Sequence, residues 1–241
     1  MLEPLTQIRR SADPGTVQLG RSPAARAEPE ALPDLLLVER ARTADMRAIE
    51  ALIRRYGRRL YRIARSLMPD EESAEAAVRE ACLAAFADLS RYEPAGKFAA
   101  WLGRLVFVQA RAARTLARPA SLVSSSPAAT VAPTATVMSS SHAELEQAID
   151  ALPEVFRTVF VLRVIEGISG IETAASLGLH QTTVRTRLYR SLRRLSPEVV
   201  ARMRASPTLF GLSPERIERM TRRVIAALPQ GSMLSISASP P

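Results

Sequence analysis

The segment from residue 181 to residue 195 contains five arginines and no acidic residue. Guanidinium groups bind phosphates and guanine edges in bidentate geometry, and Gln and Thr side chains reach base edges or phosphates. The chemistry that this pattern predicts is noncovalent binding of duplex DNA, and the alternative is a solvated basic face of a structural helix. The candidate DNA contacts are Gln181, Thr182, Thr183, Arg185, Thr186, Arg187 and Arg190.

The element that must position these side chains is predicted from residues 166–195, EGISGIETAASLGLHQTTVRTRLYRSLRRL. Ser169 and Glu172 have the spacing of a capping box at the start of a first short helix. Gly178 can adopt the left-handed conformation that ends this helix, and Val184 begins the apolar stripe of a second helix. A short helix, a glycine turn and a basic second helix predict a helix-turn-helix that places its second helix in a major groove.

The overall composition is basic and lacks the residues of a redox or metal centre. The 33 basic residues outnumber the 24 acidic ones, which gives a net charge of +9 and suits a polyanionic partner. An arginine-rich chain also results from GC-rich coding. Cys82 is the only cysteine, and His142 and His180 lie far apart, so we expect no disulfide, no metal and no cofactor.

The hydropathy pattern predicts a cytoplasmic protein without membrane insertion. No apolar run approaches the ~20 residues that span a bilayer, and the N-terminus lacks the apolar core of a secretory signal.

Apolar residues recur at helical spacing along most of the chain, and no segment alternates as a strand does, which predicts an all-α fold. Residues 119–141 are rich in Ser, Thr, Ala and Pro and carry no charge, which is typical of a flexible linker. In the extension an amphipathic helix is predicted at 214–228, which either packs on a helical domain or presents a face to a partner. The predicted parts are a disordered tail (1–32), a helical domain (33–117), a linker (118–141), a helix-turn-helix domain (142–197) and a C-terminal extension with one helix (198–241).

Several short motifs in both halves match the pattern of a known family. Together they resemble sigma factors of the sigma-70 family, specifically the extracytoplasmic-function (ECF) branch, which has only the second and fourth sigma domains. The resemblance covers about residues 34–196. The matching segments are AIEALIRRY at 48–56, LYRIA at 60–64, SAEAAVRE at 73–80, FAAWLGRL at 98–105, Leu152-Pro153, Leu162-Arg163, Glu166-Gly167, Leu177-Gly178 and TVRTRL at 183–188.

The resemblance implies a polymerase-binding surface on the acidic helix of the first domain. Glu75 and Glu80 match the family's acidic positions, and Arg79 stands where the family has Gln. Ser73 and Ala76 stand where relatives usually carry Asp, so this helix is a divergent example.

The same domain of the family captures the melted minus-ten promoter strand. Lys97, Phe98, Trp101 and Arg104 lie where a basic and aromatic surface for unpaired bases would form, with core packing as the alternative for Phe98 and Trp101. The next turns of this fourth helix depart from the family, because Val108 and Ala112 replace the common Asn and Asp.

The resemblance therefore implies a promoter-specificity subunit without catalysis of its own, in which the 181–190 helix binds the minus-thirty-five duplex. Its partners would be core RNA polymerase and promoter DNA, both as duplex and as melted strand, and an anti-sigma factor remains open as a further partner. The alternative is a helix-turn-helix transcriptional regulator that does not bind core polymerase. The third alternative is a nucleic-acid enzyme that uses the carboxylates of Glu71 and Glu75. The competing interpretation of these two residues is that they are solvated charges on a helix surface.

Overall fold

The computed structural model describes residues 31–93, 97–117, 141–206 and 208–228. These segments are helical and contain no strand, which confirms the all-α fold class. Residues 1–30 of the predicted N-terminal tail and residues 118–140 of the predicted linker lie outside the described residues. Residues 229–241 at the end of the chain lie outside them as well.

The first helical unit comprises α1 (Asp34–Arg42), α2 (Met46–Arg65), α3 (Glu71–Ala87) and α4 (Phe98–Ala117). Asp45 caps α2, since its carboxylate accepts hydrogen bonds from the amides of Arg47 and Ala48. The apolar faces of these four helices form one core. Its largest fully buried apolar side chains include Leu37, Ile49, Leu52, Ile53, Leu60, Ile63, Phe86 and Phe98.

The second helical unit comprises α5 (His142–Asp150), α6 (Glu154–Phe160), α7 (Gly170–Leu177) and α8 (Gln181–Leu192). Ser141 and Glu144 form a complete capping box at the start of α5. The last turns of α6 continue as a π-helical segment, Val161–Ile165.

The C-terminal extension contains two described helices, whereas the sequence predicts one. The predicted helix is α10 (Pro214–Ala227), which Ser213 caps. The additional helix is α9 (Pro197–Ala205), which Ser196 caps and which has proline in its first turn. This Ser-Pro pair is a helix-start signal, but the apolar stripe of the nine-residue helix is too short to stand out.

The two helical units pack against each other instead of standing apart. Helix α7 lies on α4, and the buried side chains of both units form a common core. Gly103 permits this close approach, because a Cβ atom there would lie 3.1 Å from Cδ1 of Ile63 and 3.4 Å from Oγ of Ser176. A second core joins α5, α6 and α9 with Leu209 and Phe210.

Candidate DNA and polymerase interfaces

The helix-turn-helix forms as α7, a turn and α8. Helix α7 is capped at its end by Gly178, which has the left-handed backbone conformation with φ +60° and ψ 45°. The amide of Leu179 donates to the carbonyl of Ala174 at 3.0 Å and so closes the last turn of the helix. Val184 is 1% exposed and anchors α8 to the core. This anchor leaves the opposite face of α8 toward solvent.

The outer face of α8 presents the predicted DNA contacts. Five of the seven, Gln181, Thr182, Arg185, Thr186 and Arg190, are exposed, and Thr183 and Arg187 are half-buried. Arg193 and Arg194 stack on the rings of Tyr189 and Phe156.

Within the described residues, no arginine of the 181–195 run forms an ion pair, which leaves the positive charge of this face available to an anionic ligand.

The predicted capping box of α7 forms only in part. Ser169 Oγ accepts a hydrogen bond from the amide of Glu172 at 3.2 Å. The carboxylate of Glu172 does not return to Ser169, because it accepts hydrogen bonds from Arg59 Nη1 at 2.6 Å and from Lys97 Nζ at 3.2 Å. Burial alone would raise the pKa of Glu172, but these two cations lower it below its ordinary value. Glu172 therefore joins the two helical units.

The residues predicted to capture a melted strand are mostly engaged within the chain. Phe98 is 1% exposed and its ring lies against those of Tyr92 and Trp101, with centroids 5.2 and 5.5 Å away. The core-packing alternative therefore describes Phe98 in this structure, and Trp101 is half-buried in the same cluster.

The two cations of this predicted surface face α7. Lys97 is exposed, but its ammonium contacts Glu172, and Arg104 donates to the carbonyl of Leu177. A Cβ atom at Gly178 would clash with the guanidinium of Arg104, which lies directly against the turn. The α7 turn thus occupies the surface that the sequence assigns to unpaired bases.

The predicted polymerase-binding residues on α3 divide into an exposed and a covered group. The Glu80 side chain is 51% exposed and pairs with neighbouring Arg79 at 3.3 Å. The Glu75 side chain is 17% exposed, because Arg216 of α10 donates to its Oε1 from Nε at 2.6 Å. Arg216 also pairs with Glu71, so both carboxylates proposed for an enzymatic alternative are held by one guanidinium.

Sequence reasoning missed a row of α2 arginines that joins the two units. Arg65 Nη2 pairs with Asp150 of α5 at 2.8 Å. Arg62 is 1% exposed, pairs with Glu166 and donates from Nε to the carbonyl of Leu209 at 3.0 Å. Burial lowers the pKa of Arg62, and the Glu166 carboxylate opposes this effect. The basic face of α2 is visible in the sequence, but its acidic partners lie about 85 to 113 residues away and share no local pattern with it.

The described residues contain no group of three or more His, Cys, Asp or Glu side chains that could hold a metal ion. Among the same residues, no helix combines the length and apolar character that a membrane span requires.

Two family models match the chain: Sigma-70 region 2 over residues 52–111, and Sigma-70, region 4 over residues 142–195. The ECF RNA polymerase sigma factor SigM of Mycobacterium tuberculosis is 30% identical over 156 residues, which cover 63% of this chain and 77% of SigM. The chain belongs to the ECF family of RNA polymerase sigma factors.

Another relative and one solved structure extend the comparison. The ECF sigma factor SigE of Mycolicibacterium smegmatis is 33% identical over 159 residues, which cover 63% of this chain but less than two thirds of SigE, 62%. The structure of CnrH in complex with the cytosolic domain of CnrY has a TM-score of 0.51 and 26% identity, and covers 71% of this chain and 97% of CnrH. In the present chain the region 2 match lies on α2 to α4 and the region 4 match lies on α5 to α8. Helices α9 and α10 therefore lie beyond both matches.

Proposed function

We propose that this sigma factor is a promoter-specificity subunit that binds core RNA polymerase in the cytoplasm, directs initiation at selected promoters and performs no catalysis itself. The observation that carries the proposal is the exposed arginine face of α8, which has no acidic partner among the described residues and lies within the region 4 match. A surface of this kind supplies the phosphate and base-edge contacts that a duplex promoter element requires.

The contacts are divided between the two helical units. Helix α8 binds the minus-thirty-five duplex through Arg185 and Arg190, and α3 binds the polymerase through its acidic face, with Glu80 already exposed. Lys97 and Arg104 bind the melted strand once the α7 turn has moved away, since both now contact α7. Strand capture thus requires the two units to separate.

An anti-sigma factor is retained as a further proposed partner. CnrH, the structural relative, was solved in complex with the cytosolic domain of CnrY. A protein that binds both units of the present chain would favour the packed arrangement over the separated one.

The test is binding of the full chain to purified core RNA polymerase, followed by transcription on promoter templates. The proposal predicts a stable complex and initiation that depends on the added chain. Duplex binding without core binding would instead support the alternative of a helix-turn-helix regulator. In the same assays Arg185→Ala and Arg190→Ala remove exposed arginines of α8, and Arg111→Ala is their matched control, because Arg111 is an exposed arginine on α4.

A further inference from the structure

Helix α10 lies across α2 and α3 of the first unit, although it comes from the far end of the chain. Its inner face is apolar, with Met220 and Val224 buried in the common core. Ile217 packs on Gly57, where a Cβ atom would lie 3.2 Å from its Cγ2 atom. The absence of a side chain at position 57 therefore lets α10 sit close to α2.

Ion pairs flank this apolar contact on both sides. On the α3 side, Arg216 pairs with Glu71 and Glu75, and its Nε lies 2.6 Å from Oε1 of Glu75. On the α2 side, Arg54 Nε donates to both carboxylate oxygens of Glu218, at 2.7 and 3.0 Å. The charges of α10 are thus complementary to those of the surface beneath it.

The surface under α10 includes the face through which the proposed function has α3 bind polymerase. Glu75 is mostly covered, with 17% of its side chain exposed, whereas Glu80, five residues further along α3, is half exposed. A polymerase surface that binds this acidic face must bring cations to the carboxylates that Arg216 now holds. Both sets of cations cannot occupy the same oxygens at once.

We propose that α10 is an intramolecular cover of the acidic face of α3, and that it competes with core RNA polymerase for Glu71 and Glu75. The inference rests on the proposed function, because it takes polymerase as the competing ligand. The free chain then binds polymerase only in the fraction of molecules from which α10 is released, and the apparent Kd rises in inverse proportion to this fraction.

The test substitutes Arg216→Glu in the full chain, which places a third carboxylate against Glu71 and Glu75. Arg223→Glu is the matched control, since it makes the same charge change on α10 at an exposed arginine whose side chain forms no hydrogen bond or ion pair with the described residues. We expect Arg216→Glu to bind core polymerase at least about threefold more tightly than wild type. Amide hydrogen exchange in α3 should rise in this variant and not in the control.

A charge exchange between Glu218 of α10 and Arg54 of α2 tests whether core binding changes because α10 is released, rather than because α3 itself is altered. Glu218→Arg should also tighten core binding, because it faces Arg54 with a like charge. Combining it with Arg54→Glu restores an opposite-charge pair and should return the affinity toward that of wild type. A double variant that binds as tightly as Glu218→Arg alone would overturn the inference.

The two proposals fail in different ways. If wild type binds core polymerase and Arg216→Glu, folded by circular dichroism, binds no more tightly than Arg223→Glu, the cover is refuted and the proposed function stands. If no variant and no wild-type chain binds core polymerase, the proposed function fails and the competition falls with it.

Discussion

The buried contact between Arg62 and Glu166 provides a direct test of the packing between the two helical units. Glu166→Ala removes the carboxylate that faces an almost fully buried guanidinium, since the Arg62 side chain is 2% exposed and that of Glu166 is 9% exposed. The substitution leaves Arg62 charged and removes its acidic partner, while the hydrogen bond to the carbonyl of Leu209 is retained. An arginine side chain cannot discharge near neutral pH to relieve this situation.

The expected cost follows from the burial of the pair. Breaking a buried ion pair by removing one partner costs about 3–5 kcal/mol, and the retained bond to Leu209 places this case near the lower end, at about 3 kcal/mol. Glu39→Ala is the matched control, because it removes the same side chain from a pair with Arg42 that is 31% and 52% exposed. Exposed pairs contribute about 0–1 kcal/mol, so the control should unfold almost as wild type does.

The assay is urea unfolding followed by far-ultraviolet circular dichroism, with the free energy of unfolding obtained from midpoint and slope. Replacing both partners, as in Arg62→Leu with Glu166→Leu, should recover most of the loss, since an apolar pair of similar volume avoids the unpaired charge. Equal unfolding free energies for Glu166→Ala and Glu39→Ala would refute the reasoning, because they would mean that the Arg62 guanidinium is solvated in solution.

The remaining predictions concern the two interfaces and the turn. Arg185→Ala and Arg190→Ala should each weaken duplex binding and reduce the slope of log affinity against log salt by about one, as measured in a salt titration, because each neutralises a phosphate; unchanged slopes in both would contradict the assigned face of α8. Glu80→Lys should weaken core-polymerase binding at least about fivefold in an equilibrium assay, since it turns attraction into like-charge repulsion, and should leave duplex binding intact; equal loss of both would show that α3 and α8 do not divide the work. Gly178→Ala should destabilise the fold by at least about 1–2 kcal/mol in urea unfolding, from its left-handed φ alone, with the clash against the neighbouring guanidinium adding to this cost; an unchanged midpoint would mean that the turn differs in solution.

Local signals account for what the sequence predicts correctly. Capping residues such as Asp45 and Ser213, and the left-handed Gly178, act through backbone groups a few residues away, so their effect is visible in the sequence alone. The exposed face of α8 follows in the same way from the period of its apolar residues, with Val184 inward and Arg185 outward.

Long-range partners account for what the sequence leaves out. Glu172 has the spacing of a capping residue, yet its carboxylate binds Arg59, 113 residues earlier in the chain. Arg104 has the chemistry of a nucleic-acid contact and instead meets the α7 turn. The amphipathic pattern of α10 predicts a buried face but not its partner, and only the packing shows that Arg216 meets α3. Such pairings depend on how the helical units dock, which no local period encodes.

Mapping of transcription start sites with purified core RNA polymerase on a pool of genomic templates tests the central claim most directly. We predict a set of start sites that appears only when this sigma factor is added, preceded by two shared sequence elements at constant spacing, and that is lost with Arg185→Ala combined with Arg190→Ala. A start-site pattern identical to that of core polymerase alone would contradict the account.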